Sequence, residues 1–266
     1  MRGRLLIVST PIGNLKDITE RAREALAEAD VVVAEDTRRT SVLLNHLGIK
    51  KPMISYYKHV EKDKLSRVME AIRGKVAALV SDAGTPLVCD PGFLLVKAAI
   101  EEGFEVVPVP GPSSILAALV ASGIEPCPFS FHGYIPKKGR AEFFRSLRGR
   151  RETLVFFETA LRLPDSLRTM LEELGDRMCC IARELTKVHE EFIRGRISEV
   201  LPASEGLRGE ICLVVEGAGE EVEPWRERAL RLVDAGYSVR EAARIVALLF
   251  GVSKREVYGY LNEVCG

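Results

Sequence analysis

The chain has no glutamine, three asparagines and a single tryptophan among its 266 residues. Amide-poor composition is what a hot growth temperature selects. Net charge is also missing, because 38 Lys and Arg balance 38 Asp and Glu. That excludes a uniformly basic nucleic-acid binder and leaves only local patches for a polyanion. Apolar runs such as residues 245–250 are far too short to cross a bilayer. The run at 5–8 is broken by Pro11 and Gly13, which is too short for a secretory signal. A cytoplasmic protein without a membrane partner is therefore expected. The six cysteines (Cys89, Cys127, Cys179, Cys180, Cys212 and Cys265) form no C-x-x-C pair and read as reduced, buried thiols. No His/Cys/Glu set has zinc-site spacing, so no metal is expected. Neither G-x-G-x-x-G after the first strand nor G-x-x-x-x-G-K-[ST] occurs. This argues against a dinucleotide oxidoreductase and a P-loop NTPase.

What is present is a folding chain, 47% hydrophobic and 29% charged, a mixture that buries a core and stays soluble. Residues 5–8, 31–34, 76–80 and 106–109 are continuous apolar runs that predict buried strands. Helical patterns fall at 18–29, 37–46, 93–102 and 113–121, the first opened by a capping box from Asp17 to Glu20. Non-alternating strands between helices predict an α/β fold with a mainly parallel sheet covered on both faces. In the second half, strands are expected at 129–131, 153–157, 178–182, 191–193 and 211–215, with helices near 139–147 and 163–174. Gly123, Pro126 and Pro128 mark a boundary, which gives an N-terminal α/β domain over 1–122 and a second over 123–217. Beyond an acidic, glycine-bearing linker at 216–224, a helical extension covers 225–266. There Ser238 to Glu241 and Ser253 to Glu256 both match the capping box, with Gly251 between them. The pattern fits a helix-turn-helix or a small helical cap, and spacing alone favours the cap.

Three turn segments follow predicted strands: Thr10-Pro11-Ile12-Gly13-Asn14-Leu15, Ser81-Asp82-Ala83-Gly84-Thr85-Pro86 continuing to Asp90-Pro91-Gly92, and Pro110-Gly111-Pro112-Ser113-Ser114. Each lies at a strand's carboxyl end, where open α/β sheets hold ligands. Gly and Pro fix backbone shapes that leave N–H and C=O groups for a ligand. Asp82 can take a charge-assisted hydrogen bond. Any one such loop is an ordinary tight turn; three together predict a ligand cleft.

Residues 5–215 resemble the ribosomal RNA small subunit methyltransferase I family of the tetrapyrrole methylase superfamily. The resemblance is carried by residues 10–18, by Ala34-Glu35-Asp36-Thr37-Arg38, by Leu79-Val80-Ser81-Asp82-Ala83-Gly84-Thr85-Pro86 and by Pro108 to Ser113. Ala182-Arg183-Glu184-Leu185-Thr186-Lys187 and His189-Glu190-Glu191-Phe192 add to it. It implies two α/β domains with S-adenosylmethionine in the cleft between them, usually in a homodimer. The implied activity is 2′-O-methylation of a cytidine in the decoding region of 16S rRNA, as free RNA or in the small subunit. The donor's candidate contacts are then Pro11, Ile12, Gly13, Asp82, Ala83, Gly84, Thr85, Ser113, Ser114, Phe157 and Leu185. In one place the sequence departs from the family: Ser-Pro-His-Arg is replaced by Thr159-Ala160-Leu161-Arg162. An essential-base role for that histidine has no side chain to carry it here, while Glu158 and Arg162 remain.

A ribose hydroxyl is a poor nucleophile, so its methylation gains from a base or from alignment with the methyl group. Candidate catalytic residues are Asp36, Glu184 and Lys187, the last as a base or as the partner of Glu184 in an ion pair. His46, His59, His132 and His189 read as surface or core histidines. Residues 134–151 hold seven basic side chains against Glu142. Of these, Lys137, Lys138 and Arg140, together with Arg38, are candidate RNA contacts. Phe143 and Phe144 in the same segment read as core. Two other functions share these features: a tetrapyrrole or other small-substrate methyltransferase on the same fold, and a non-catalytic nucleic-acid-binding module.

Overall fold

The computed structural model describes residues 3–57, 61–219 and 224–265. His59, part of the linker at 216–224, and Met1, Arg2 and Gly266 lie outside these. The chain divides into two units, Met1–Gly217 and Ala218–Gly266.

The first unit opens with a five-stranded sheet of β1 (Arg4–Val8), β2 (Val31–Ala34), β3 (Met53–Ser55), β4 (Val76–Val80) and β5 (Glu105–Val109). Its order is β3-β2-β4-β1-β5, and every pair is parallel. Side chains of a strand alternate between faces, and here both faces are dry. Leu6, Val8, Val32, Ala34, Ala78 and Val80 enter one core with α1 (Glu20–Glu28) and α2 (Thr37–His46). Leu5, Val31, Val33, Ala77 and Leu79 enter the other with α3 (Glu61–Ile72) and α4 (Phe93–Glu101). That is why these strands read as unbroken apolar runs.

The second sheet consists of β6 (Phe129–Tyr134), β7 (Thr153–Thr159), β8 (Met178–Arg183), β9 (Glu191–Arg196) and β10 (Glu210–Val215), in the order β6-β7-β10-β8-β9. Only β6 and β7 run parallel; the other pairs are antiparallel. One face packs on α6 (Arg140–Leu147), α7 (Leu163–Leu174) and α8 (Ile197–Ala203) through Phe144, Leu167, Met170, Ile197 and Val200. The other face packs Val155, Cys180, Ala182, Cys212 and Val214 against Ala118 and Leu119 of α5 (Ser114–Ala121). Helix α5 follows the last strand of the first sheet and covers the second, so the link between the sheets is itself part of the second sheet's core. Arg194 of β9 reinforces the joint by donating to the carbonyl of Ala121 at 2.6 and 3.2 Å, where a helix end leaves unpaired acceptors.

The second unit is three helices, α9 (Pro224–Asp234), α10 (Val239–Phe250) and α11 (Lys254–Cys265). They close over Trp225, Ala229, Ala242, Ala243, Val246, Val257 and Leu261. Both arms of the Ser238–Glu241 capping box form. At the second candidate box the Ser253 hydroxyl accepts from the Glu256 N–H at 3.1 Å. No described helix is long and apolar enough to cross a membrane.

One capping expectation fails. Asp17 lies in a 3-10 turn, Leu15–Asp17, and Ile18 is extended. Helix α1 is instead capped by Thr19, whose hydroxyl accepts from the Ala22 N–H at 3.1 Å. Thr19 is one residue before the helix and performs the same chemistry, so spacing did not separate the two. The predicted strands and helices otherwise form within a few residues of their expected ends; β3, α3 and α8 are additional.

Candidate functional site

The three loops at the carboxyl ends of β1, β4 and β5 are tied to one another. Thr10 and Gly84 exchange backbone hydrogen bonds at 2.9 and 3.0 Å. The Ser9 hydroxyl reaches Thr85 Oγ1 at 3.1 Å. Gly84 has φ +77, which a side chain would make strained. Gly13 makes the closest approach to the second sheet: a Cβ there would lie 2.6 Å from Lys187 Cγ and 2.9 Å from the Leu185 carbonyl. The next residue, Asn14, donates its N–H to Thr186 Oγ1 at 3.0 Å.

Between these loops and the second sheet is a cavity of about 660 Å³, a size that holds a nucleoside-sized ligand. Ile7, Ile12, Ile115, Leu185 and Cys212 give it an apolar wall, and Ser113 and Ser114 bring the first turn of α5 to it. The remaining wall is ionic, with Glu35, Asp82, Asp90, Glu158 and Glu210 against Arg39 and Lys187. Tyr134 and Phe157 of the second sheet complete it.

The ionic groups are joined in two networks. In the first, Asp82 Oδ1 accepts from the Asp36 N–H at 3.0 Å, and Asp82 Oδ2 faces Arg39 at 3.5 Å. Glu35 accepts weakly from the Asp82 N–H at 3.4 Å. Asp36 caps α2 and grips Arg38 at 2.7 and 3.0 Å, which draws its pKa down to about 2. Burial and the charge of Asp82 push Glu35 upward. Burial, more than the charges of Glu35 and Asp82, takes Asp90 up to about 6.

In the second network Lys187 Nζ bridges Glu184 at 2.9 Å and Glu210 at 2.8 Å. Partial burial works against its charge, but the bonds to Glu210 and Glu184 outweigh it, so its pKa stands above the ordinary lysine value. Glu184 is held low by the Glu210 N–H first and by Lys187 second. It sits at φ +50 and Thr186 at φ +65, unusual for non-glycine residues. Buried Glu158 accepts from Ser166 at 2.6 Å and pairs with Arg162 at 3.2 Å. Arg162 also donates to the Ile135 carbonyl. Ala160 is buried and Leu161 is 91% exposed.

The cavity thus gathers Ile12, Asp82, Ala83, Gly84, Thr85, Ser113, Ser114, Phe157, Leu185 and Lys187 of the predicted set. Pro11 lines a smaller hollow of about 90 Å³ with Arg39 and Asp82. Gly13 is packed between the sheets, and Asp36 and Glu184 stand behind the wall, bonded to Asp82 and Lys187. Arg38, Lys137, Lys138 and Arg140 are not part of the cavity. Lys137 and Lys138 are exposed on the turn before α6, Arg38 is exposed at the start of α2, and Arg140 is partly covered. Two other cations of the basic segment are already paired, Arg145 with Glu173 and Arg150 with Glu152. Phe144 is fully buried and Phe143 packs beside it. The sequence marks neither Glu35, Arg39 nor Glu210 as a lining group: the first two stand within or beside the quoted 34–38 motif, and Glu210 carries no local signal. Tyr134 is legible only as an aromatic interleaved in the basic 134–151 segment, where aromatics can stack on bases.

Residues 4–201 match the model of the Tetrapyrrole (Corrin/Porphyrin) Methylases. A protein of Halalkalibacterium halodurans named ribosomal RNA small subunit methyltransferase I is 43% identical over 98% of this chain and 96% of its own length. The chain belongs to the ribosomal RNA small subunit methyltransferase I family. A Thermotoga maritima protein of the same name is 46% identical over 81% of this chain and 99% of its own length. Among solved structures, the uroporphyrin-III-C-methyltransferase from Thermus thermophilus superposes with TM-score 0.60, over 81% of this chain and 94% of that one. At 24% identity that likeness carries the fold alone. The protein is a methyltransferase, and S-adenosylmethionine is its methyl donor.

The residues present fit that donor. Its sulfonium and ammonium are cationic, and the wall holds five carboxylates against two cations. Its purine needs an apolar slot, which Ile7, Ile12, Ile115 and Leu185 offer. When bound, it supplies an electrophilic methyl group.

Proposed function

We propose that this methyltransferase 2′-O-methylates a cytidine ribose in the decoding region of 16S rRNA, acting in the cytoplasm as a homodimer on rRNA or the small subunit. The observation that carries the reading is near-full-length identity to relatives named for small-subunit rRNA. In this reading residues 1–122 and 123–217 are two domains with the donor between them. Pro11 to Gly13, Asp82 to Thr85, Ser113, Ser114, Phe157 and Leu185 hold the donor. Asp82 pairs with its ammonium. Lys187, kept protonated by Glu184 and Glu210, presents a positive charge to the acceptor's phosphate. Asp36 positions Asp82 through its N–H. Arg38, Lys137, Lys138 and Arg140 lead the RNA backbone towards the site.

The test is methyl transfer from labelled donor to isolated small subunits, to free 16S rRNA and to a tetrapyrrole. Label on a cytidine 2′-oxygen of the RNA supports the reading. Label on the tetrapyrrole alone would assign a small-substrate enzyme. No transfer, with tight binding of a nucleic-acid duplex, would leave a binding module.

A further inference from the structure

The ionic wall contains more carboxylates than donor binding uses, and their partners differ. Asp82 holds the Asp36 N–H and faces Arg39. Glu158 is enclosed by Ser166, Arg162 and the Thr159 N–H. Glu210 neutralises Lys187. Lys187 is protonated and cannot take a proton. Behind the wall, Asp36 and Glu184 are locked to Arg38 and Lys187. Two lining carboxylates have no ion pair within 4 Å among the described residues, Glu35 and Asp90. Of these, Glu35 accepts from the Asp82 N–H and feels Arg39.

Asp90 is placed differently. It follows Leu87 at φ +74 and Cys89 at φ +70, two non-glycine residues in the left-handed region. Such conformations persist only where surrounding structure enforces them, and they cluster at functional sites. The enforcing contacts can be named. The Gly92 N–H donates to Glu61 Oε1 of α3 at 2.7 Å. Cys89 Sγ lies so near Gly133 of the second sheet that a Cβ there would be 3.2 Å away. The loop therefore carries Asp90 from the first sheet to the edge of the second. There burial first, and then the charges of Glu210, Cys89, Asp90 and Glu158, push the Tyr134 phenol above its ordinary value. The Tyr134 ring leans on Phe157 at 5.4 Å between centroids and is still 57% exposed, an aromatic surface on which a base can stack.

We infer that Asp90 is the general base that takes the proton from the acceptor ribose hydroxyl, with Tyr134 as the platform for that nucleotide. The inference rests on the reading of the acceptor as a ribose 2′-OH. In the step, a lone pair of O2′ forms the new O–CH3 bond as the S–CH3 bond breaks, and that pair of electrons stays on sulfur as a neutral thioether. The O2′ proton passes to the Asp90 carboxylate and then to water. A base works best with a pKa near the working pH. Burial supplies this at Asp90, against the lowering hydrogen bond from Ser81. The groups that act on it are Ser81, Glu35 and Asp82 on the first sheet and Tyr134 on the second; Arg39, Glu158, Glu210 and Lys187, with Cys89 of its own loop, line the same cavity.

The test is single-turnover methylation of isolated small subunits at saturating donor from pH 5 to 9, beside calorimetry of donor binding. The wild-type rate should rise tenfold per pH unit along an acidic limb and then level off, the limb lying below the pKa of about 6 of the donor-free carboxyl because the donor's positive charge favours the carboxylate. Asp90→Asn should lower the plateau by roughly 100-fold or more and erase the acidic limb, with donor affinity unchanged. Asp90→Glu should recover part of the rate and keep a limb. Ser81→Ala, which removes the lowering bond, should move the limb to higher pH. A carbon-13 NMR titration of donor-free protein should show the Asp90 carboxyl titrating near pH 6. Wild-type rates in Asp90→Asn would overturn the inference, as would loss of donor affinity in parallel with rate. If Asp90→Asn does not fold, an unmoved limb in Ser81→Ala would overturn it instead. No transfer by the wild type at any pH would defeat the ribose reading itself, a separate result.

Discussion

The two sheets build the cavity by different means. The first contributes three short loops, tied through the Thr10–Gly84 pair and the Ser9–Thr85 contact, with glycines where chains come close, and the charges of Glu35, Arg39, Asp82 and Asp90 at their ends. The second contributes side chains already joined in ion pairs, Lys187 to Glu184 and Glu210, and Glu158 to Arg162. A parallel sheet gathers its carboxyl ends at one edge, so its loops form a cradle by topology alone. A mostly antiparallel sheet has no such edge and must place charges individually. The lesson is a division of labour that the proposed roles follow in the main: most of the proposed donor contacts lie on the first sheet's loops, while Lys187 and Tyr134 of the second sheet, with Asp90 carried across to it, are proposed for the acceptor.

That division is broken most directly at Asp82, the first sheet's only charged donor contact in this scheme. Asp82→Ala should weaken S-adenosylmethionine binding by about 1.5–3 kcal/mol, the worth of a charge-assisted bond. That is roughly 10- to 150-fold in Kd by calorimetry. Unchanged affinity would mean that Asp82 serves only to organise Asp36 and Arg39.

The same contrast decides what could be read from the sequence. The first sheet was legible because both its faces are dry, so β1, β2 and β4 appear as unbroken apolar runs. Its loops were legible because Gly and Pro sit at consecutive turn positions. Strand β3 was not, since Met53 to Ser55 are three half-buried residues with no periodic signal. Helix α8 contains Pro202 and spans only Ile197–Ala203, too short for a helical pattern to show. In the site, Glu158, Lys187 and Glu210 come from three separate strands or loops. Only pairing of β10 with β7 and β8 brings them together, and no local motif encodes that register. Asp90 was visible as part of a turn, but its placement depends on Cys89 meeting Gly133.

The RNA path tests the acceptor side at longer range. Lys137 and Lys138 are exposed and no ion pair within 4 Å engages them or Arg140 among the described residues. Each phosphate contact on a single strand contributes about 0.7 to the slope of log affinity against log salt. Replacing all three with alanine should flatten that slope by about two, a loss of tens-fold in subunit binding near physiological salt. Donor affinity should be unaltered. A wild-type slope in a filter-binding series would shift the path to Arg38, Arg39 and the second unit.

A smaller effect is expected at the second sheet's charge bridge. Lys187→Ala and Glu184→Ala should each lower the single-turnover rate by up to about tenfold, equivalent to about 1.4 kcal/mol. The bridge is partly exposed, so solvent screens it and the effect stays modest. Donor binding should stay within a factor of two. Equal losses in rate and donor affinity would place the bridge on the donor side and blur the division between the sheets.

The smallest effect is expected from removing the second unit. Its three helices bury their own core around Trp225 and Leu261. The residues that line the cavity run from Ile7 to Cys212, all within the first unit. The Thermotoga maritima relative is matched over 99% of its length by only 81% of this chain. The remainder is about the size of Ala218–Gly266. A chain ending at Gly217 keeps β10 whole and keeps that glycine against the Arg151 carbonyl. It should therefore fold cooperatively, with a melting temperature within a few degrees of the full chain, and bind the donor with the same Kd. Methyl transfer to small subunits should fall only if the exposed Lys254, Arg255 and Tyr258 of α11 touch RNA, and the salt slope would then drop with it. Loss of donor binding on truncation would show instead that the helical unit supports the sheets, and that the cavity is not completed by the first 217 residues alone.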